Sequence, residues 1–327
     1  MNIFLIIIHK FPKIIKKLLF QSIWKVGIID LPIDKIKSNN YKVKWFKNSP
    51  KYFGFYADAF PLKIKNKNYL IFEDYSFILR KGRISIAEIQ DLKLVNKKII
   101  LEDKHLSYPY IIEHNQVLYM ICESYKSKNL GLYEINQENI SLKFIKNIFE
   151  NHEAIDPTIF KYNQKFWLFS TKNENANGEL YLSYSDDLLN VFSPHPNNPI
   201  KVSNQSSRPA GTIFEKGGKI FRPSQYCKKF YGEKIVINQI IKLDEHEYQE
   251  EELYEISSTP NHNYKTKKML GIHTITAYDN KTIIDGYFQI FAPIKIIITL
   301  LRILKKMLLI KNFFDIFNRD KLIKKIK

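Results

Sequence analysis

Five positions in this chain set a chemically capable side chain beside a turn. They are Asp58 in Ala57-Asp58-Ala59-Phe60-Pro61, Tyr108 in Ser107-Tyr108-Pro109-Tyr110, Asp156 in Ile155-Asp156-Pro157-Thr158, Arg208 in Arg208-Pro209-Ala210-Gly211, and His273 in Gly271-Ile272-His273-Thr274. A carboxylate or an imidazole can take a proton from a hydroxyl group in a reaction. A guanidinium stays charged and offers a planar fork of donors to phosphate or carboxylate. Such a set could activate a hydroxyl while gripping an anionic ligand, provided that the fold gathers residues spread over more than two hundred positions.

The spacing supplies that fold. The first four positions lie about fifty residues apart and the last somewhat further, a period typical of repeated four-stranded sheets. Each is followed by an apolar strand, a short turn and a second aromatic-rich strand: Tyr69 to Glu73, Leu118 to Glu123, Phe166 to Ser170, and Lys219 to Arg222. The turns Lys65-Asn66-Lys67-Asn68, His114-Asn115-Gln116, Tyr162-Asn163-Gln164 and Glu215-Lys216-Gly217-Gly218 carry the Asn and Gly that left-handed turn positions favour. Third strands are expected at Ile84 to Ala87, Leu130 to Tyr133 and Leu180 to Tyr184, and few helices between about residues 50 and 290. The expectation is an all-β, five-bladed β-propeller over residues 23–290. Its innermost strands run in one sense, so the five positions converge on one mouth of the channel.

Composition limits the setting. A core of this size buries enough surface to stand alone, and the two cysteines, Cys122 and Cys227, are read as reduced thiols of a cytosolic protein. Of the net charge of +18, the two ends hold +12: residues 1–20 carry four lysines and no acid, and residues 291–327 carry ten Lys or Arg against Asp315 and Asp320. Both ends, 1–22 and 291–327, are expected to be basic amphipathic helices. In the second, Lys295, Arg302, Lys305 and Lys306 share a face while Ile296, Ile297, Leu300, Leu301, Leu304, Leu308 and Ile310 cover the rest. No uncharged run there reaches the roughly twenty residues needed to span a bilayer. The apolar run Ile3 to Ile8 has no basic residue before it and no small-residue cleavage site after it, unlike a signal peptide. Both ends are therefore expected to lie on an anionic membrane surface, with the protein peripheral on the inner face of the cell membrane. Packing of these helices on the propeller, or a disordered tail, is the alternative. Nucleic acid is not expected as a partner, because the basic residues alternate with aliphatics and not with stacking aromatics.

Nine segments, in order, resemble the β-propeller domain at the N-terminus of plant glucosamine inositolphosphorylceramide transferases and its bacterial relatives. They are Trp24-Lys25-Val26-Gly27-Ile28, Tyr56 to Pro61, Ser107 to Tyr110, Met120-Ile121-Cys122-Glu123-Ser124, Asp156-Pro157-Thr158, His195-Pro196-Asn197-Asn198-Pro199, Arg208 to Gly211, Phe221-Arg222-Pro223-Ser224-Gln225 and Gly271 to Thr274. The resemblance covers about residues 24–290. It implies a part in glycolipid or cell-surface glycan assembly. In the plant proteins a glycosyltransferase domain follows the propeller, and in some bacterial ones a formyltransferase-like domain accompanies it; neither is read within these 327 residues.

More distantly the pattern is similar to the five-bladed arabinanase and invertase-type glycoside hydrolases. Those place acids at the starts of the first, third and fourth blades. Asp58 and Asp156 match the first two, but Arg208 stands at the third, and an arginine cannot protonate a leaving group. Glu123 is a possible substitute. With Arg222, Arg208 instead suggests a sugar phosphate, a nucleotide sugar or an acidic sugar. Asp58, Asp156 and His273 are thus the expected catalytic groups, and Tyr108, Glu123, Arg208, Arg222, Gln225 and Asp285 the expected substrate contacts. No metal ligand set and no cofactor are expected beyond a nucleotide sugar or sugar phosphate as donor, with a glycan or lipid-linked acceptor. Each residue also has a structural reading: Asp58 and Asp156 as turn or capping residues, the arginines as ties between blades, His273 as a satisfied channel histidine, Glu123 as a paired strand end. Three functions stay open: a transferase at the membrane surface, a sugar-binding module serving a separate transferase, and a hydrolase with a relocated acid.

Overall fold

The computed structural model describes residues 18–37, 41–124, 127–150, 153–258, 264, 267–300, 303, 304 and 307. Five antiparallel sheets of at least four strands account for residues 20–291, as the repeat predicts. Blade one is Gly54–Ile64, Lys67–Ser76, Ile84–Gln90 and Lys93–Leu101; blade two is Ser107–His114, Val117–Glu123, Asn129–Asn136 and Ser141–Glu150. Blade three is Ile155–Tyr162, Lys165–Thr171, Glu179–Ser185 and Ser193–Pro194, with Lys201–Val202 beside its third strand. Blade four is Phe214–Lys216, Lys219–Tyr226, Lys234–Leu243 and Tyr248–Ile256. Blade five takes Gly271–Tyr278 and Lys281–Phe291 from the end of the chain and Phe20–Ile29 and Lys44–Trp45 from its beginning. This pairing closes the ring, so no blade is left with an open edge toward a missing neighbour.

The hairpin turns take the conformation that their residues favour. Lys65 and Asn66, Asn115 and Gln116, Asn163 and Gln164, and Gly217 and Gly218 all have positive φ, the primed-turn geometry that matches strand twist. The core lies in the seams between blades. Leu70, Phe72 and Ala87 of blade one pack with Val26, Ile28 and Ile283 of blade five, and Tyr110 and Ile121 of blade two pack with Phe166 and Leu168 of blade three. Blades four and five meet through backbone: Gly211 bridges Ile275, and a Cβ at Gly211 would lie 1.9 Å from the Ile275 oxygen, so only glycine fits there.

Residues 23–288 form one compact unit; residues 1–22 with 289–327 form another. Within the second, residues 294–300 are helical, as are 303, 304 and 307, in agreement with the expected C-terminal helix. The expected N-terminal helix falls largely on residues 1–17, outside the described residues, and residues 20–22 already belong to a strand. Among the described residues, no helix is long and apolar enough to cross a membrane.

Candidate functional site

Four ladder slips aim side chains at the channel mouth. In the innermost strands of blades one, two, three and five, two residues oppose one partner at Asp58–Ala59, Tyr108–Pro109, Asp156–Pro157 and His273–Thr274. Such bulges re-aim a side chain out of the sheet's alternation, and Pro109 and Pro157 fit them because an unpaired position needs no ladder N–H. Asp58, Tyr108 and Asp156 have φ of 49°, 48° and 47°. Aspartate tolerates that left-handed region; tyrosine does so less readily. Tyr108 is held there by its hydroxyl, which meets Thr158 Oγ1 at 2.9 Å and accepts the Gly211 N–H at 2.6 Å.

The mouth is a cavity of about 320 Å³ lined by Asp58, Glu73, Glu123, Asp156, Arg208 and His273, with Trp24, Phe55, Tyr75 and Tyr231 as aromatic walls. Convergent polar groups against apolar faces, at this size, are the usual make-up of a small-molecule site.

One half of the site belongs to blades one and five. His273 lies between two carboxylates, Nδ1 at 2.7 Å from Asp285 Oδ1 and Nε2 at 3.1 Å from Asp58 Oδ1. Thr274 Oγ1 donates to Asp58 Oδ1 at 2.7 Å, while Asp285 accepts the backbone N–H groups of Asp58 at 3.0 Å and Thr274 at 3.0 Å. Burial alone would push the His273 pKa down, but Asp285 and Asp58 outweigh it and hold the imidazolium well above its ordinary value. Expected as a proton acceptor, His273 therefore has the geometry of a fixed cation that donates through both nitrogens. Its ring lies over Trp24, with centroids 3.8 Å apart and the planes tilted by 32°.

The other half belongs to blades two, three and four. Arg208 Nε donates to Asp156 Oδ2 at 2.7 Å and its Nη1 to Asn177 Oδ1 at 3.2 Å, and its guanidinium lies 4.6 Å from the Tyr231 ring centroid. Gln225 Nε2 adds a second donor to Asp156 Oδ2, at 2.7 Å. Glu123 Oε2 accepts the Asp156 N–H at 3.1 Å. Burial, joined by the neighbouring Asp156 carboxylate, pushes the Glu123 pKa up to about 8 despite Arg208. Near neutral pH Glu123 is thus a carboxylic acid facing a polar cavity.

Glu73, at the matching place in blade one, was not singled out from the sequence. Ala57 pairs with Glu73 as Ser107 pairs with Glu123, and both strands end their apolar runs in Glu. That shared register was the available signal. Burial and then the Asp58 charge hold the Glu73 carboxyl well above its usual range.

Of the five positions expected to form a ring, Asp58, Asp156, Arg208 and His273 line the cavity. Tyr108 is fully buried and supports the site through Gly211 and Thr158. Gln225 and Asp285, expected as substrate contacts, are also buried, holding Asp156 and His273 from behind. Arg222 stands elsewhere. It is fully buried in blade four, bonded to Glu250 by Nε at 2.8 Å and Nη2 at 2.6 Å and to the Ser206 oxygen at 2.6 Å, which corrects its assignment to substrate: it is a tie within the fold. Asp58, His273 and Asp285 bring ligand atoms within 4.8 Å of one another, the spacing of a metal site. The same three side chains are joined by hydrogen bonds, His273 lying 2.7 Å from Asp285 and 3.1 Å from Asp58.

Residues 46–286 match the family described as "Glucosamine inositolphosphorylceramide transferase 1, N-terminal", and the chain belongs to that family. Glucosamine inositolphosphorylceramide transferase 1 of Arabidopsis thaliana is 31% identical over 217 residues, 64% of this chain and 28% of the relative. Its counterpart in Oryza sativa subsp. indica is 31% identical over 205 residues, 60% of this chain and 27% of the relative. The chain therefore spans little more than a quarter of those proteins. Among solved structures, the catalytic domain of Coprinopsis cinerea GH62 alpha-L-arabinofuranosidase has a TM-score of 0.54 at 9% identity, covering 82% of this chain and 97% of that one. Zg3597, a family 117 glycoside hydrolase of Zobellia galactanivorans, has a TM-score of 0.51 at 12% identity, covering 84% and 92%. At such identity the likeness concerns the fold.

Proposed function

We propose that the propeller is the carbohydrate-active unit of a glycolipid-assembling protein and transfers a glycosyl group at a membrane surface. The arrangement that carries this reading is the pairing, in one cavity, of Glu123, whose burial favours the neutral acid, with Asp58, a carboxylate held by Thr274 and His273. Glu123 gives its proton to the leaving oxygen as the bond to the anomeric carbon breaks; Asp58 takes the proton of the acceptor hydroxyl as the new bond forms. Arg208 supplies the counter-charge for a phosphate-bearing or acidic sugar, and the aromatic walls cover the ring's apolar face. Incubation with nucleotide sugars, simple glycosides and a lipid-phosphate acceptor tests it, comparing the wild type with Glu123→Gln and Asp58→Asn. Equal product from all three proteins overturns the site, and no sugar bound from any panel overturns the class.

The same neutral acid supports hydrolysis as a second reading, because Glu123 offers the proton donor that Arg208 displaces from the fourth blade. With water as acceptor the products are free sugar and the leaving alcohol, so release without transfer decides between the two. A third reading is a module that binds sugar for a separate transferase. Tight sugar binding by wild type and Asp58→Asn alike, with no product from either, is its signature.

A further inference from the structure

The loops around the cavity mouth carry partly exposed apolar side chains with cations beside them. In blade one Gly54 pairs with Ser76, so the segments 51–53 and 77–81 lie at the end of the sheet where Asp58 and Glu73 reach the cavity. The Phe77 N–H donates to the Phe53 oxygen at 2.8 Å, which joins the two segments. Phe53, Ile78 and Leu79 are 52%, 58% and 50% exposed. Beneath them Phe55 stacks on Tyr75 at 4.8 Å, and both of these rings line the cavity. Across the mouth, the Gln225 N–H donates to the Arg208 oxygen, so the following loop, 227–233, also lies at this end. Its Tyr231 is a cavity wall, and Phe230 beside it is 40% exposed.

On these segments the exposed charged side chains are cations. Lys51, Arg80, Lys228 and Lys229 are exposed on the same segments. Lys229 approaches Glu233 at 3.6 Å, whereas Arg80 and Lys228 have no acidic partner among the described residues. On the neighbouring loop Glu102 pairs with Lys81 at 2.9 Å, and Asp103 beside it is exposed. Bulky apolar tips set among unpaired cations complement a surface that is anionic outside and apolar beneath, as a bilayer with acidic headgroups is.

We infer that this rim docks the propeller mouth-first onto an anionic bilayer, the apolar tips of Phe53, Ile78, Leu79 and Phe230 entering between headgroups. The inference deepens the function proposed above and rests on it in one respect: the sugar bound in the cavity is then the headgroup of a lipid, which enters without leaving its membrane.

The test uses the full chain and vesicles of phosphatidylcholine, with and without phosphatidylserine. Co-flotation is compared for the wild type, the triple variant Phe53→Ser/Ile78→Ser/Leu79→Ser, and Val191→Ser. Val191 is 59% exposed but follows Ser185, which pairs with Phe166 beside the far turn of blade three. Wild type and Val191→Ser should float with anionic vesicles, and the triple variant should partition on the order of a hundredfold less, as expected for losing three partly buried apolar side chains. A polarity-sensitive dye on Leu79→Cys should shift to the blue on binding, and on Val191→Cys should not; the native Cys122 and Cys227 are buried. Unchanged flotation of the triple variant, as when residues 1–22 and 289–327 bind by themselves, overturns the inference. So does a dye at Leu79→Cys that stays aqueous, no vesicle binding by the wild type, or a mass that shows self-association through the rim in place of vesicle binding. Turnover of a short, water-soluble sugar substrate separates this from the functional reading. The triple variant should keep that turnover, while absence of turnover in every protein removes the enzyme and leaves the vesicle result standing.

Discussion

Arg208 and Arg222 precede prolines fourteen positions apart, and each bonds an acidic residue from another strand, yet one serves the cavity and the other the fold. Arg222 is 0% exposed, with Glu250 bonded to two of its nitrogens and backbone oxygens of Ser206 and Ser207 bonded to Nη2 and Nη1. Arg208 shares Asp156 with Gln225, leaves its Nη2 without a bond among the described residues, and faces the mouth. A guanidinium with every nitrogen bonded holds a structure together; one with a nitrogen to spare can hold a ligand.

The largest effect expected from this contrast is on stability. Arg222→Met strands the Glu250 carboxylate in the interior, and breaking a buried pair from one side costs about 3–5 kcal/mol. Arg208→Met should cost less, because its side chain keeps 13% exposure to the cavity. Urea unfolding of both variants checks the order, and equal losses would erase the distinction. Sugar binding should reverse it. A folded Arg222→Met protein keeps its affinity for an acidic or phosphorylated sugar, and Arg208→Met loses it.

The next effect concerns the two acids beside those arginines. Glu250 is pushed up by burial but brought below its usual range by Arg222 and Lys201; Glu123 is pushed up to about 8. Their pH signs are opposite. The lowered Glu250 adds stability that is present above the unfolded carboxyl value, about 4.3, and is lost as pH falls through its folded value. The raised Glu123 adds stability that is full below that unfolded value and is lost as pH rises through about 8. Glu123→Gln should therefore be more stable than wild type at pH 9 by up to a few kcal/mol, with the difference closing below pH 5. Turnover supplies the second readout. A general acid contributes about 10²–10⁴ in rate, so wild-type turnover should fall as pH rises past Glu123's value, and Glu123→Gln should be slow with that limb absent. A variant as fast as wild type, with the same alkaline limb, removes Glu123 from the chemistry.

The contrast also marks how far the sequence could be read. The repeat, the hairpin turns and the second and third strands were legible because strand alternation and turn residues are local. Asp58, Asp156, Arg208 and His273 were legible as neighbours because a period carries position around a ring. What lay beyond reach depended on contacts with no local trace. Arg208-Pro209 and Arg222-Pro223 look alike until Glu250, from another strand, is seen to close on the second. Blade five is completed by Phe20–Ile29, a strand some 250 positions upstream of its partner, and no spacing rule reports that. The imidazolium character of His273 required knowing that two carboxylates flank it. Glu73 could have been found, since it repeats Glu123 one blade earlier.

The smallest effect expected separates the arginines by their aromatic company. Tyr231 covers Arg208 at 4.6 Å, an arrangement that contributes about 0.5–2 kcal/mol depending on solvent access. Because Tyr231 is 38% exposed, the lower part of that range applies. Tyr231→Leu keeps an apolar wall but removes the ring's negative face, so the guanidinium loses one of the contacts that fix its plane toward the cavity. Affinity for an acidic or phosphorylated sugar should fall about two- to tenfold, while a neutral sugar, which has no need of the cation, should bind almost as before. Calorimetric titration of both ligand types into both proteins measures the difference. An equal loss for both would mean that Tyr231 acts as a wall for the sugar ring and not through Arg208, and the role given to the free donor of that arginine would fall with it.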